Sequence, residues 1–386
     1  MKVVVAHNRY SSAQPSGENS MVDNEISQLR NAGVEVIPFL RSSDEVAELS
    51  AVGKAKLAVS PIYAADAQRR LTALLEAEKP DVLHLHNPYP FLSPAVVRTS
   101  QRHRVPVVQT VHNYRHVCVN GLYFRNGRLC HDCRGKTLPT PGVVHGCYRG
   151  SRAQSAVMAT TLVAHRSTWR RVDRYIALTG AIRRHLREYG IPDDAISVKP
   201  NSIPDPGVHD VDGDGFAFVG RLSEEKGIGL LLRAWERHAD GSLGKLRIIG
   251  DGPLRPDVET AAARRGDVEY LGAVPHEEVT ACFRSAGVVV NSSLCEDVHP
   301  TVVIEALANA RPVLTTDLGG PPHMIADAGV VASADDGAFA EGLARIAESA
   351  RDLRPVARRR YEDHFAPAVV VERQLAVYRE VMAKRP

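Results

Sequence analysis

Short apolar runs alternate with amphipathic stretches along the chain. Val3–Ala6 reads as a buried strand, and the polar residues 8–19 follow it as a loop. Over Ser20–Ala32, Met21, Ile26 and Leu29 fall near one helical face, and Gly33 ends the helix. Val34–Leu40 is the next predicted strand. A helix through Leu71–Glu78 leads into the strands Val82–Leu85 and Val105–Val111, and Tyr175–Leu178 is a further strand. Helix alternating with buried apolar strand predicts βαβ units and a parallel sheet.

The rhythm breaks twice. Residues 114–150 are rich in Cys, Gly, Arg and His and read as an insertion, while Pro204–Gly215 is a Pro/Gly/Asp linker without periodicity. The alternation then restarts, with strands at Phe216–Val219, Leu246–Ile249, Val268–Leu271, Val288–Asn291 and Val313–Thr315 and helices at Ile228–Trp235 and Pro300–Ala310. In the tail Pro367–Met382, the residues Val371, Leu375, Tyr378 and Met382 recur at helical spacing. The expected organisation is α/β. Residues 1–203 form one doubly wound domain carrying the insertion, 204–215 a linker, 216–366 a second such domain, and 367–386 a helix crossing back to the first. Ligands of open parallel sheets bind beyond the carboxyl ends of the strands, so a cleft between the domains is the expected site.

Composition narrows the classes. A chain of 386 residues with 44% hydrophobic residues is long enough for two cores. A net charge of +3 is too small for a nucleic-acid footprint. No apolar run approaches the ~18 residues of a membrane helix, and the N-terminus turns polar too early for a signal-peptide core. The expectation is a soluble, cytoplasmic protein, monomeric or homodimeric. Peripheral membrane contact stays open.

Two segments carry chemistry. In Phe218–Gly227, FVGRLSEEKG, a strand ends at Gly220, Arg221 follows, and Lys226 opens the next helix. Gly220 permits close backbone approach, and the two cations suit a diphosphate, the Arg as a planar fork and the Lys as a point charge. In Val288–Ala308, VVVNSSLCEDVHPTVVIEALA, a buried strand runs into a polar loop, then Pro300 and Thr301 at a helix start. Glu305 interrupts that apolar helix. A carboxylate there needs hydrogen bonds, and sugar or ribose hydroxyls or a neighbouring cation such as Arg311 could supply them. His112 ends a buried strand. His84 and His86 share one strand face and read as satisfied interior histidines.

With Gly250–Pro253 (GDGP), Leu271–Val274 (LG-x-V), Thr315–Gly320 (TTDLGG), Ser16–Asn19 (SGEN), Asp81–Pro88 (DVLHLHNP), Thr110–Asn113 (TVHN) and Lys199–Ile203 (KPNSI), these segments stand in an order that resembles glycosyltransferase family 4 over nearly the whole chain. The resemblance implies the GT-B fold, two Rossmann-like doubly wound domains facing each other across a cleft. It implies a retaining glycosyltransferase of the hexosyltransferase kind. A sugar would move from a nucleoside-diphosphate sugar (UDP-sugar first, GDP-sugar second) to a hydroxyl of a small-molecule or glycan acceptor, as in aminoglycoside or surface-glycan biosynthesis. A nucleotide-sugar epimerase or hydrolase of the same fold is the alternative.

By the same resemblance, Arg221 and Lys226 neutralise the donor diphosphate, with Gly17, Gly220, Gly250, Pro300 and Thr301 lining the nucleotide and Glu305 holding the ribose. His112 lies near the anomeric carbon, and Glu18 contacts the acceptor. Asp297, eight residues before Glu305, stands where the family usually has Glu, so Asp297 or the adjacent Glu296 fills the first acidic position. His323 is a second departure, at a position that is often Glu in the family. No catalytic cofactor is implied.

Four of six cysteines cluster in the insertion: Cys118, the pair Cys130-x2-Cys133, and Cys147. Four thiolates can close a tetrahedral structural zinc site; disulfides or unligated cysteines are the alternatives. Asp212-Gly213-Asp214 mimics a metal-binding Asp-x-Asp, and Asp210–Gly215 the first half of a calcium loop. The latter fails because its twelfth position is Arg221. The linker reading stands.

Overall fold

The structure is a computed structural model, and it describes residues 1–12, 16–207 and 213–384. The centre of the expected linker, with Asp210 and Asp212, lies outside the described residues. The chain divides into two compact units. The first comprises Met1–Tyr123, His131–Ser202 and Ala368–Pro386; the second comprises Phe124–Cys130 and Ile203–Pro367.

In the first unit β1 (Lys2–Arg9), β2 (Glu35–Ser42), β3 (Val82–Leu85) and β4 (Val107–Val111) lie in one sheet. A hairpin, β5 (Phe124–Arg125) and β6 (Arg128–Leu129), stands apart, and β7 (Arg174–Ala177) and β8 (Ile196–Val198) complete the sheet. The order β2-β1-β3-β4-β7-β8 is parallel throughout. The order in which successive strands are added reverses between β1 and β3, which makes that junction the switch point of the sheet. Pro38 sits in β2, an edge strand, where a missing N–H is tolerated. One face is covered by the helix Gly17–Asn31 and the C-terminal helix Pro367–Ala383. Val22, Ile26, Leu29, Leu375, Tyr378 and Val381 pack there with Val3, Val5 and Val108.

The second unit repeats the scheme with β9 (Phe216–Val219), β10 (Leu246–Ile249), β11 (Val268–Gly272), β12 (Val288–Asn291), β13 (Val313–Thr316) and β14 (Gly329–Ala332), ordered β11-β10-β9-β12-β13-β14 and parallel. Its switch point lies between β9 and β12.

Three differences from the sequence reading matter. The first helix begins at Gly17 rather than Ser20, because Ser16 caps it: its Oγ accepts from the Glu18 amide at 3.3 Å. The strands β8 and β14 are absent from the sequence reading; both are short and stand at sheet edges. The hairpin of the insertion turns at Asn126-Gly127, both at positive φ as a two-residue turn demands, and it groups with the second unit rather than with residues 1–203.

Candidate functional site

In the second unit the functional side chains gather at the carboxyl ends of β9 and β12. Gly220 and Arg221 leave β9, a short 3-10 turn over Glu224–Lys226 follows, and Lys226 precedes the helix Ile228–Trp235. Gly250 (φ +141°) leaves β10 against the same segment. A Cβ on it would stand 1.9 Å from the Gly220 carbonyl oxygen, so the two loops meet backbone to backbone.

Lys226 forms an ion pair with Asp297, which also accepts from Ser293 Oγ at 3.3 Å. Burial alone would lower the Lys226 pKa; Asp297 and Cys295 reverse that, and the ammonium is held above its ordinary value. Asp297 is a carboxylate paired with Lys226. Its backbone is clamped in turn. Gly320 N donates to Asp297 O at 2.7 Å, and Gly319 (φ +68°) lies so close that a Cβ would stand 2.4 Å from that oxygen. Arg221 is half exposed and pairs with Glu225.

Pro300 caps the helix Thr301–Ala308, whose first-turn amides point out of the carboxyl end of the sheet. Glu305 sits one turn in. Burial raises its carboxyl pKa, and His276 is the charge that eases it. Arg311, the neighbouring cation that the sequence offers as a partner for Glu305, is fully buried and gives an N–H to the Arg284 carbonyl at 2.8 Å. His323 lies in the short helix Pro321–Ile325, with its carbonyl accepting from Arg360 at 2.8 Å.

In the first unit the site is built of histidines at the ends of β1, β3 and β4. His112 Nε2 lies 2.9 Å from His86 Nδ1. His84 bonds Thr110 Oγ1 at 2.8 Å through Nε2 and faces Glu25 Oε1 at 3.0 Å through Nδ1. His86 Nε2 lies 3.3 Å from the same oxygen, at ion-pair distance but without hydrogen-bond alignment. Lys199, which β8 delivers into the interior, pairs with Glu25 Oε2 at 2.8 Å.

Burial lowers the His84 pKa to about 4 and the His7 pKa to about 3, and it holds His112 well below the usual imidazole value. These three rings are neutral near pH 7. Burial pushes the Glu25 carboxyl up, but Lys199, His84 and His86 outweigh it, leaving the group well below its ordinary value.

Glu18 is raised by burial and partly relieved by Arg115; its Oε2 accepts from Tyr10 at 3.2 Å, while its buried Oε1 has no hydrogen-bond partner. Glu18, His86, Asn87, His112 and Arg115 line one cavity. Gly17 is not the loop glycine expected from the sequence. It is the first helical residue, one step after the Ser16 cap.

The insertion positions its cysteines individually. The Cys118 thiol, buried, is reached by the backbone N–H groups of Asn120–Tyr123 and lies 3.0 Å from Asn120 Oδ1. The Cys147 amide donates to the Gly142 carbonyl at 2.9 Å, and a Cβ on Gly142 would stand 3.5 Å from Cys133 Sγ. Cys130 follows the hairpin and is half-buried.

Glu25, Lys199 as a buried cation, Arg115 and Tyr378 are residues to which the sequence reading assigned no role. Glu25 had a readable signal: it interrupts the buried stripe Val22–Ile26–Leu29.

Comparison with known proteins places this geometry. The family model described as glycosyl transferase 4-like domain matches residues 16–202, and the one described as glycosyl transferases group 1 matches residues 213–349. A putative teichuronic acid biosynthesis glycosyltransferase, TuaC, of Bacillus subtilis (strain 168) is 40% identical over 103 residues, 27% of this chain and 24% of that protein. The 2-deoxystreptamine glucosyltransferase of Streptomyces kanamyceticus is 28% identical over 152 residues, 38% of this chain and 35% of the relative. The chain thus spans about a quarter to a third of the length of these curated relatives. The crystal structure of Anabaena HepE in complex with UDP has a TM-score of 0.69 at 13% identity, covering 98% of this chain and 100% of that one, a likeness of fold. Both sheets are Rossmann-like, as in the GT-B class. Among the described residues, no helix is long and apolar enough to cross a membrane.

Proposed function

The chain belongs to glycosyltransferase family 4, and from that membership we propose that it transfers a sugar, with retention of anomeric configuration, from a UDP-sugar to an acceptor hydroxyl. The observation that carries the proposal is the pair of cations at the switch point of the second sheet. Arg221 and Lys226 are each held by one carboxylate of their own neighbourhood, Glu225 and Asp297. Such pairs are exchangeable. A diphosphate offers both cations a better acceptor and can displace the internal carboxylates.

In the step proposed, the bond from the anomeric carbon to the diphosphate oxygen breaks while a bond from that carbon to the acceptor oxygen forms. The acceptor proton passes to the leaving diphosphate. Negative charge grows on the leaving group, where Arg221, Lys226 and the first-turn amides of the helix from Thr301 serve it. Asp297 is assigned to the transferred sugar, Glu305 to the ribose, and His112 with Glu18 to the sugar and acceptor hydroxyls in the first unit. Asp297 is short, but its backbone is fixed by Gly319 and Gly320 and its carboxylate pairs with Lys226, which supports it for this role. The two curated relatives frame the acceptor as an aminocyclitol or a surface glycan.

The test has two stages. A thermal-shift screen of nucleotide sugars and free diphosphates finds the donor, since a ligand at 100 times its Kd stabilises by about 2.7 kcal/mol. Release of UDP is then followed with and without acceptor. Release that needs the acceptor is expected. Donor consumption at the same rate without any acceptor would show a hydrolase or epimerase instead.

For the insertion, we propose a structural zinc held by Cys118, Cys130, Cys133 and Cys147. Burial raises the Cys118 thiol pKa and the backbone N–H groups about its sulfur offset part of that rise, so the proton would leave only as the metal binds; the support is the Cys-x2-Cys pair with two further cysteines in one insertion. Zinc supplies cross-linking of the insertion there and no chemistry.

A further inference from the structure

The histidine cluster of the first unit holds a carboxylate that the transferase reading does not use. Glu25 is buried under the sheet, and its two oxygens are fully engaged. Oε1 faces His84 Nδ1 at 3.0 Å, His86 Nε2 at 3.3 Å and Gln374 Nε2 at 3.3 Å; Oε2 faces Lys199 Nζ at 2.8 Å. The ligand atoms of Glu25, His84 and His86 lie within 4.8 Å of one another, a spacing that could hold a cation. The Lys199 ammonium already stands there as the counter-charge, and Tyr378 OH, 2.8 Å from His84 Nδ1, closes the remaining side. A metal would have to displace a paired lysine. The arrangement serves protons instead.

We propose that Glu25, acting through His86, fixes the tautomer of His112, leaving His112 Nδ1 as a lone pair that accepts a hydroxyl hydrogen from the bound sugar. Glu25 and His86 are then positioning residues, and the claim rests on the reading of His112 as the sugar-facing histidine.

Glu25 is ionised. A neutral imidazole carries one N–H, and beside a carboxylate the N–H pole is favoured over the lone pair. With one N–H on the ring, His86 holds its hydrogen at Nε2, which lies 3.3 Å from Glu25 Oε1 at electrostatic rather than hydrogen-bond geometry. Its Nδ1 is left as an acceptor, and the partner 2.9 Å away, His112 Nε2, must donate. That leaves His112 Nδ1 unprotonated on a ring that lines the cavity with Glu18, Asn113 and Arg115. Depressed basicity from burial keeps the ring from taking a second proton. A polyol hydroxyl is a natural donor to that nitrogen, and a neutral ring in this tautomer cannot act as a general acid.

The experiment reads the tautomer directly. Histidine-selective 15N labelling and two-bond 1H–15N spectra of the full chain without substrate are expected to show His112 as the Nε2–H form. A Glu25→Gln/Lys199→Met double variant removes both buried charges together, so no orphan cation is left to unfold the chain. It is expected to lose the pure Nε2–H pattern. Its kcat should fall roughly 10- to 100-fold, the scale of outer-shell positioning losses, while KM for the donor changes less than about threefold. A wild-type spectrum showing Nδ1–H or imidazolium for His112 overturns the proposal, and so does a folded double variant with wild-type kcat. The wild-type spectrum needs no variant. Being recorded without substrate, it also stands or falls independently of whether the chain transfers a sugar.

Discussion

The two units share a topology and solve opposite electrostatic problems with it. At the switch point of the second sheet, Arg221 and Lys226 carry full charges, partly open to solvent, each matched to one carboxylate. At the switch point of the first, four histidines crowd beneath a cavity, and three of them are kept neutral by burial around one buried Glu25–Lys199 pair. Exposed ion pairs exchange partners cheaply, because water screens the intermediate state. A buried neutral network cannot rearrange without orphaning a group. The second unit is thus suited to catching a charge that appears during reaction, and the first to holding uncharged hydroxyls in place.

Removing a charge-catching group should therefore cost the most. Lys226→Ala is expected to lower kcat by roughly 100- to 1,000-fold, the scale of losing one preorganised electrostatic partner of the transition state. Arg221→Ala, being more exposed, should cost less but still more than tenfold. Steady-state rates of UDP release check both. A Lys226→Ala protein with more than half of wild-type activity would break the contrast, because the second site would then not be the one that meets the charge.

Acid should break the first unit before the second. A histidine whose folded pKa is depressed takes up protons more readily when unfolded. Its stabilisation is complete above the unfolded value of about 6.5 and is lost as pH falls toward the folded value. For His84 that window runs from about 6.5 down to about 4, and for His7 to about 3. Glu25, also depressed, adds loss in the same direction further down. Thermal melts at pH 7.5 and 5.0 should differ by on the order of 5 °C, the acid sample being less stable. A flat response would mean that these rings are charged in the folded state, and the contrast between the units would fail.

The insertion sharpens the comparison from outside either sheet. Protein purified without chelator should carry roughly one zinc per chain by elemental analysis, and chelation should lower the melting temperature of the unit that holds it. Metal-free protein with an unchanged melt would return the four cysteines to unligated loop residues.

Much of this was legible in the sequence, and what was missed has physical reasons. Strands that bury a mainly apolar run announce themselves: Val82–Leu85, Phe216–Val219 and Val288–Asn291 appear at the predicted bounds. The edge strands β8 and β14 bury fewer residues and lack a run to detect. In the second unit, site chemistry sits on consecutive loop residues, so Arg221, Lys226, Asp297 and Glu305 are visible as motifs. The first unit assembles its site from four separate segments. Glu25, His84, His86, Lys199 and Tyr378 meet only because the sheet brings them together, and His84 and His86 taken alone read as interior residues. His84 is one; His86 is the link to His112.

The finest distinction lies inside the second site, between adjacent acids. Lys226 pairs with Asp297, and the carbonyl of that residue is fixed by Gly320 N at 2.7 Å. Asp297→Asn removes the countercharge of a buried-stem lysine and the carboxylate assigned to the sugar, so activity should fall more than tenfold. Glu296→Gln leaves the Lys226–Asp297 pair in place, and its loss of activity is expected to be smaller than that of Asp297→Asn. The informative case is Asp297→Glu. If the glycine clamp sets the reach, the added methylene pushes the carboxylate past Lys226 and lowers the rate. A variant faster than wild type would show instead that the shorter acid is the limiting one, and that the backbone does not compensate for it.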